Sequence, residues 1–476
     1  MEKQIVKKEK SFATINKKSF ISVVIVLIAM ISISAILSLI RPQGSYARNL
    51  DGEIIAGTFS QGKPQGIEFW RVITAPFRVF TESGSLTIIM ISLFLLVMSG
   101  VFNMIEKTDG IKIIMNKAFN KFSNKKKMVI CIVILFFMLF GSLFGLFEEL
   151  VTLLPFVTIF MISLGFDTMT GLGVCLLAAC FGFSSAITNP FSVGIASSFA
   201  GISSMSGIWL RIVLFVIIYA LVCGFILTYT RRIVKNPEKS LTYETDGLKK
   251  NSLQIESSEK SDRIFKVYLI FFIAQFLILM AVASIRALSS YAIPILSATF
   301  LIGGIIAGLI VSEEKKKIFE YLGKGALAML PAVLLIALAS SVNLIMQESG
   351  ILDTIIHHII QFLNGKSLYV CVLFIYLLIL VLQLFIGSAS AKIFLIMPIL
   401  LPLCHAIGIS SNLLIFIYCI ADGFSDVIIP TNPVLLIGLS MSNVSYGKWV
   451  KWTWKIQLLI LVISILLIFF GVYIHY

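Results

Sequence analysis

Polar residues that could bind a solute occur in two short clusters of an otherwise apolar chain. A Thr-Asn-Pro tripeptide at 188–190 recurs at 431–433, 243 positions later. Residues 155–203 align on residues 398–446 at this one offset without a gap, which places Phe181 on Phe424. A single offset over such a length indicates an internal duplication rather than a chance match of three residues.

Each Thr-Asn-Pro predicts a break inside an apolar helix. A break leaves backbone N–H and C=O groups unpaired, and these groups can bind ions or carboxylates. The asparagine would precede a second half-helix that has proline in its first turn. We expect Asn189 and Asn432 to face each other near the middle of the membrane and to line a substrate and ion site. The alternative that stays open is that Asn-Pro only caps each half-helix.

Charged residues lie in the same apolar regions, where their burial is costly and usually marks a transport pathway or an ion pair. Glu148 and Glu149 occupy a glycine-rich tip at 141–149, and Lys392 follows the matching tip at 387–391. Two roles stay open for them: substrate binding, or a structural ion pair between Glu149 and Lys392. Asp422 and Asp426 are the best candidates for a cation or for the amino group of a substrate.

The candidate substrate- and ion-binding residues therefore belong to the two tips and the two breaks. They are Glu148, Glu149, Ser185, Thr188, Asn189, Pro190, Ser388, Ser390, Lys392, Asp422, Asp426, Thr431, Asn432 and Pro433.

Composition places these clusters in a membrane protein. The chain has 476 residues, of which 58% are hydrophobic and 13% charged. Apolar runs long enough to span a bilayer predict an all-α polytopic membrane protein, and no alternating pattern indicates a barrel. The net charge of +14 comes from loop lysines and is not a nucleic-acid signal. No nucleotide-binding loop, metal-ligand motif or catalytic motif is present, so we predict neither an enzyme nor a cofactor, apart from a possible coupling Na⁺ or H⁺.

The distribution of Lys and Arg predicts the topology. Residues 1–18 form a cytoplasmic N-terminus, 19–230 a first transmembrane repeat, 231–262 a cytoplasmic linker, 263–285 an unpaired span, and 286–476 a second repeat. This arrangement leaves most Lys and Arg on the cytoplasmic side. The single unpaired span inverts the second repeat relative to the first. Each repeat contains a hairpin, at 128–165 and 367–407, which we read as re-entrant because its arm at 150–164 is shorter than the hydrocarbon core.

Two segments carry a family resemblance. Residues 182–196 and 421–452 resemble YfcC-type carriers, which belong with the C4-dicarboxylate anaerobic carriers and the larger ion-transporter superfamily. The resemblance implies a secondary transporter of the plasma membrane with two hairpins and two broken helices. Relatives in that superfamily include arginine/ornithine exchangers and carboxylate carriers. Lys392 departs from the small or apolar residue expected at its position.

The mixture of charges favours a zwitterionic substrate. Half-helix N-termini attract anions, and Lys392 adds a positive charge, whereas four carboxylates oppose it. We therefore predict a transporter for an amino acid or a peptide-like metabolite, by ion coupling or exchange. The alternatives are a C4-dicarboxylate carrier, an ion channel and, third, an intramembrane enzyme. The expected partners are a small-molecule substrate and the lipid bilayer, with a homodimer possible and no nucleic acid.

Overall fold

The structure is a computed structural model of the chain. It describes residues 17–40, 44–47, 55, 57–62, 67–82, 85–111, 113–114, 117, 125–148, 150–246, 259–284, 291–363 and 365–476.

Helices account for nearly all of the described structure in the first half of the chain. They are α1 (Lys17–Ile40), α2 (Phe69–Arg78), α3 (Ser85–Lys107), α4 (Lys126–Phe144), α5 (Leu154–Ser163), α6 (Thr168–Ser184), α7 (Ile195–Phe199) and α8 (Ile208–Lys235). Two short strands pair antiparallel in the segment between α1 and α2, β1 (Gly44–Ser45) and β2 (Ser60–Gln61).

Helices also build the second half. They are α9 (Glu259–Ser284), α10 (Ala292–Val311), α11 (Lys315–Ala328), α12 (Leu330–Glu348), α13 (Ile351–Leu363), α14 (Leu368–Gln383), α15 (Ala389–Ala406), α16 (Ser411–Asp426), α17 (Pro433–Ser442) and α18 (Tyr446–Tyr473).

Six helices among the described residues are long and apolar enough to cross a membrane. These spans are Ile88–Lys107, Lys126–Phe144, Ile208–Lys235, Ile293–Val311, Lys315–Glu348 and Tyr446–Tyr473. The prediction of an all-α polytopic membrane protein is confirmed.

Shorter apolar helices form the second arms of both hairpins, Leu154–Ser163 and Ala389–His405, and one half of each broken helix, Thr168–Ser184 and Pro433–Ser442. α5 has 10 residues, about 15 Å at 1.5 Å per residue, which is half of a hydrocarbon core of about 30 Å. α4, the first arm of the first hairpin, is long enough to cross. The re-entrant description of the hairpins therefore stays a prediction. In the first hairpin the short second arm supports it and the first arm does not; in the second hairpin the arms have 16 and 18 residues.

The two halves of the chain break at the same relative positions. α6 ends at Ser184 and α16 at Asp426, and each is followed by an irregular segment that leads to Asn189 or Asn432, respectively. The starts of α6 and α16 are also matched, because Asp167 accepts a hydrogen bond from the Thr170 N–H (2.8 Å) and Ser410 one from the Leu413 N–H (3.1 Å). Side-chain caps of this kind satisfy N–H groups that a helix start leaves free.

Packing between the halves follows a reciprocal pattern. α1 and α2 of the first half pack on α12 of the second, while α10 and α11 of the second half pack on α3 of the first. α9 packs mainly on α10. This exchange is the arrangement expected if 19–230 and 286–476 are related units with 263–285 between them. The domain boundaries and the inversion stay predictions.

The two broken helices cross at the centre of the bundle. Phe181 of α6 and Phe424 of α16, which occupy the same position of the duplicated sequence, have ring centroids 6.5 Å apart. The Ser184 hydroxyl donates to the Ile420 carbonyl (3.1 Å) across the same crossing. Gly423 packs directly on the Ser184 backbone, where a Cβ would collide with it. A two-fold axis through the crossing that relates the two repeats would bring Phe181 next to its counterpart Phe424 in this way.

Candidate functional site

The first break is fastened to the tip of the first hairpin. α4 ends in a π-helical turn at Phe140–Phe144, and the Ser142 carbonyl in that turn accepts N–H groups from Ile187, Thr188 and Asn189 at 3.1–3.2 Å. The Ser142 hydroxyl donates to the Ser185 carbonyl (2.6 Å). The Thr188 hydroxyl donates to the neighbouring carbonyl of the turn (3.0 Å). The predicted site residues Ser185 and Thr188 therefore hold the break in shape.

Asn189 caps the half-helix of the first repeat. Its Oδ1 accepts the N–H groups of Phe191 (2.9 Å) and Ser192 (3.3 Å), with Pro190 in the first turn. The side chain is fully buried, and its Nδ2 has no hydrogen-bond partner among the described residues. The Asn-Pro capping role and a ligand role are thus compatible, because one end of the amide caps while the other keeps two free donors.

Gly145 at the hairpin tip packs against that amide. Its φ of +68° is in the left-handed region, and a Cβ at this position would collide with Asn189 Oδ1. The glycine therefore allows the tip to reach the break.

The second break has the same cap but a different set of partners. Asn432 Oδ1 accepts the N–H groups of Val434 (2.8 Å) and Leu435 (3.4 Å), and Pro433 begins α17. The Thr431 hydroxyl donates to the Leu384 carbonyl at the end of α14 (3.0 Å). Asn432 Nδ2, unlike its counterpart, donates to Asp426 Oδ1 (2.7 Å).

A buried ion pair lies beside this break. Lys392, in the first turn of α15, forms an ion pair with Asp422 of α16, and both side chains are excluded from solvent, at 0% and 1% exposure. The ion pair considered from the sequence, Glu149 with Lys392, stays a prediction, because Glu149 lies outside the described residues. Removing either partner of such a pair leaves an uncompensated buried charge, which costs more than the pair contributes.

Asp426 is held by neutral amides. Its Oδ1 accepts from Gln383 Nε2 (2.5 Å) as well as from Asn432 Nδ2, and within the described part of the chain it has no ion pair. Gln383, at the end of α14, was not predicted. The only signal for it in the sequence is that it is an amide in an apolar helical arm that ends at a tip. The three side chains form a chain of contacts from α14 through α16 to the cap of α17.

The acidic residues of the broken helix belong to the second repeat. At the offset of 243, Asp422 corresponds to Ala179, Asp426 to Phe183 and Gln383 to Phe140, whereas Lys392 corresponds to Glu149. The hydrogen bonds that hold the break to the hairpin occur in both repeats, but carboxylates in the broken helix itself occur only in the second.

The hairpin tips also contact the opposite repeat. The Ser390 hydroxyl donates to the Phe191 carbonyl of the first repeat (3.4 Å), and Ser388 caps α15 by accepting the Ala391 N–H (3.3 Å). Glu148 is half-buried and lines a small pocket with Val434 and Ile437 of α17. Each tip thus lies between its own break and the half-helix of the other repeat.

A larger cavity, of about 620 Å³, leads toward the second tip. Its wall includes Ala391 and Phe394 of α15, next to Lys392, while its mouth is formed by the β1–β2 segment and by Glu348 and Asp353. The β1–β2 segment is held there by Asp353, whose Oδ2 accepts the Tyr46 N–H (3.0 Å).

Comparison with known proteins decides the family. A model of the C4-dicarboxylate anaerobic carriers matches residues 20–473. This chain belongs to that family. A membrane transporter is therefore what the sequence and fold together describe, and membership implies transport rather than catalysis.

Two curated relatives are similar over most of their length. One is named "Putative basic amino acid antiporter YfcC", from Escherichia coli K12; it is 27% identical over 389 residues, which cover 79% of this chain and 76% of the relative. The other is an uncharacterized protein of Haemophilus influenzae, 27% identical over 391 residues, 81% of this chain and 76% of the relative.

Two solved transporter structures also match over nearly the full chain. One is MtrF of Neisseria gonorrhoeae, described as one of a class of antimetabolite efflux pumps, with a TM-score of 0.40, 15% identity and coverage of 94% of each chain. The other is the YdaH transporter of Alcanivorax borkumensis, with a TM-score of 0.43 and 15% identity; the match covers 96% of this chain and 98% of that one.

Proposed function

We propose that this transporter is a secondary active carrier that moves an amino acid, and in particular a basic amino acid, across the plasma membrane with its N-terminus in the cytoplasm. The observation that carries the proposal is the charge of the buried cluster, which has two carboxylates and one ammonium. The ammonium group of Lys392 forms an ion pair with Asp422. Asp426 is therefore the group that would bind the ammonium or guanidinium of a substrate, through charge-assisted hydrogen bonds.

The carboxylate of the substrate would bind at the helix breaks. The starts of the two half-helices carry partial positive charge, which favours an anion. Asn189 Nδ2 adds two donors without a partner. Lys392, which the sequence suggested as the carboxylate ligand, acts in this proposal by neutralising Asp422.

A C4-dicarboxylate is the second candidate, and the description of the family favours it. The buried cluster opposes it, since a dicarboxylate brings two negative charges and no cation to pair with Asp426. Amino acid transport is also supported by the name of the Escherichia coli relative.

The test measures by calorimetry how tightly a panel of solutes binds to the purified full-length protein in detergent. L-Arginine should bind more tightly than L-alanine, and both more tightly than succinate. Asp426→Asn should weaken L-arginine binding by about 1.5–3 kcal/mol, the range for a hydrogen bond to a charged group. Glu320→Gln, exposed on α11 in a pair with Lys324, is the control and should bind as the wild type does. Succinate binding that exceeds every amino acid would contradict the proposal and support the second candidate.

A further inference from the structure

The buried cluster carries one negative charge that nothing in the described structure compensates. Lys392 and Asp422 neutralise each other, and Asp426 is left with only the amides of Gln383 and Asn432. Its side chain is 5% exposed. An isolated carboxylate is strongly disfavoured in such a place and becomes neutral by binding a proton or a cation. When no substrate is bound, a proton or another cation must therefore take the place of the substrate's ammonium.

The groups around Asp426 suit a proton better than a metal ion. A hard cation needs several oxygen ligands. The side-chain groups directed at the two carboxylates are N–H donors: two amide nitrogens on Asp426 and an ammonium on Asp422. Among the described residues, no group of three or more His, Cys, Asp or Glu could hold a metal ion.

We infer that Asp426 carries the coupling proton of this transporter and exchanges it for the ammonium group of the substrate. The inference rests on the proposed function. Without substrate, Asp426 is a neutral carboxylic acid; when the substrate's cationic group arrives, the O–H bond breaks, the proton passes to water, and the carboxylate pairs with the cation. The cluster keeps the same charge before and after. Proton and substrate cannot occupy Asp426 together, so their movements are opposed, and the carrier is an H⁺/amino acid antiporter.

Other ionisable groups near Asp426 do not take over this role. Cys180 lies on α6, which crosses α16, and Tyr418 and Asp422 lie on α16 itself. A thiol and a phenol are neutral at physiological pH. α14 contributes the neutral Gln383, and Lys392 of α15 is paired with Asp422. Asp426 is the carboxylate of the cluster that has no cation of its own.

Titration calorimetry of L-arginine in buffers of different ionisation heat tests the inference. The wild type should release about one proton for each L-arginine bound, because binding needs a deprotonated ligand. Binding should weaken as the pH falls, by up to about tenfold per pH unit, because protons then compete for Asp426. Asp426→Asn should bind more weakly, release no proton and lose this dependence on pH, whereas the control Glu320→Gln should release protons as the wild type does.

Two results would overturn the inference. They are continued proton release by Asp426→Asn and an affinity that follows Na⁺ and not pH.

A measurement without substrate separates failure of the inference from failure of the proposed function. Infrared difference spectra between neutral and alkaline pH should contain a carboxylic acid band, present at neutral pH, that is absent from Asp426→Asn. If the wild type binds no amino acid, the proposed substrate is wrong, and this band still decides whether Asp426 takes up a proton. An identical band in wild type and Asp426→Asn would contradict the proton site.

Discussion

Lys392 contributes to this protein mainly as the partner of Asp422. Both side chains are buried, so Lys392→Met would leave a carboxylate without compensation next to a second carboxylate, Asp426. The free energy of unfolding should fall by about 3–5 kcal/mol, the cost of breaking a buried pair from one side. The double variant Lys392→Met/Asp422→Asn should regain most of that loss, since it removes both charges.

Thermal unfolding in detergent measures this double-mutant cycle. Lys324→Met provides the control, because Lys324 is exposed in its pair with Glu320 and exposed pairs contribute about 0–1 kcal/mol. A double variant whose destabilisation equals the sum of those of Lys392→Met and Asp422→Asn would show that the two charges do not interact.

At the scale of elements, the contact between the first hairpin and the first break depends on Gly145. Gly145→Ala should destabilise the protein, because the residue has a φ of +68° and its new Cβ would collide with Asn189 Oδ1. The left-handed conformation alone costs an L-residue about 1–2 kcal/mol. The same substitution should also weaken L-arginine binding, since it displaces the amide that bears the free Nδ2 donors.

The second hairpin offers the matched control for that substitution. Gly387 lies at its tip, has no positive φ, and a Cβ there would meet nothing within 4 Å. Gly387→Ala should therefore leave the unfolding temperature close to that of the wild type. If both variants unfold at the same temperature, the fit between Gly145 and Asn189 does not stabilise the site.

At the scale of the whole molecule, local signals and distant contacts differ in how well the sequence predicts them. The positions of both breaks follow from Asn189 and Asn432, since a cap and its proline act within one turn of helix. The pairing of Lys392 with Asp422 could not be predicted, because it depends on how α15 and α16 are rotated against each other. Gln383 was missed for the same reason. The duplication predicts a shared architecture, and the acidic cluster, present in one repeat, lies where the two copies differ.

Counterflow in proteoliposomes tests the central claim most directly, namely that the acidic cluster makes this protein a carrier for a basic amino acid. Vesicles loaded with unlabelled L-arginine should take up radiolabelled L-arginine transiently above equilibrium, chemically unchanged, through wild type and Glu320→Gln and much less through Asp426→Asn. Such an overshoot requires a site that alternates between the two sides, as broken helices in inverted repeats provide, and neither a channel nor an enzyme would give it. Counterflow of succinate, with none of L-arginine, would contradict the account.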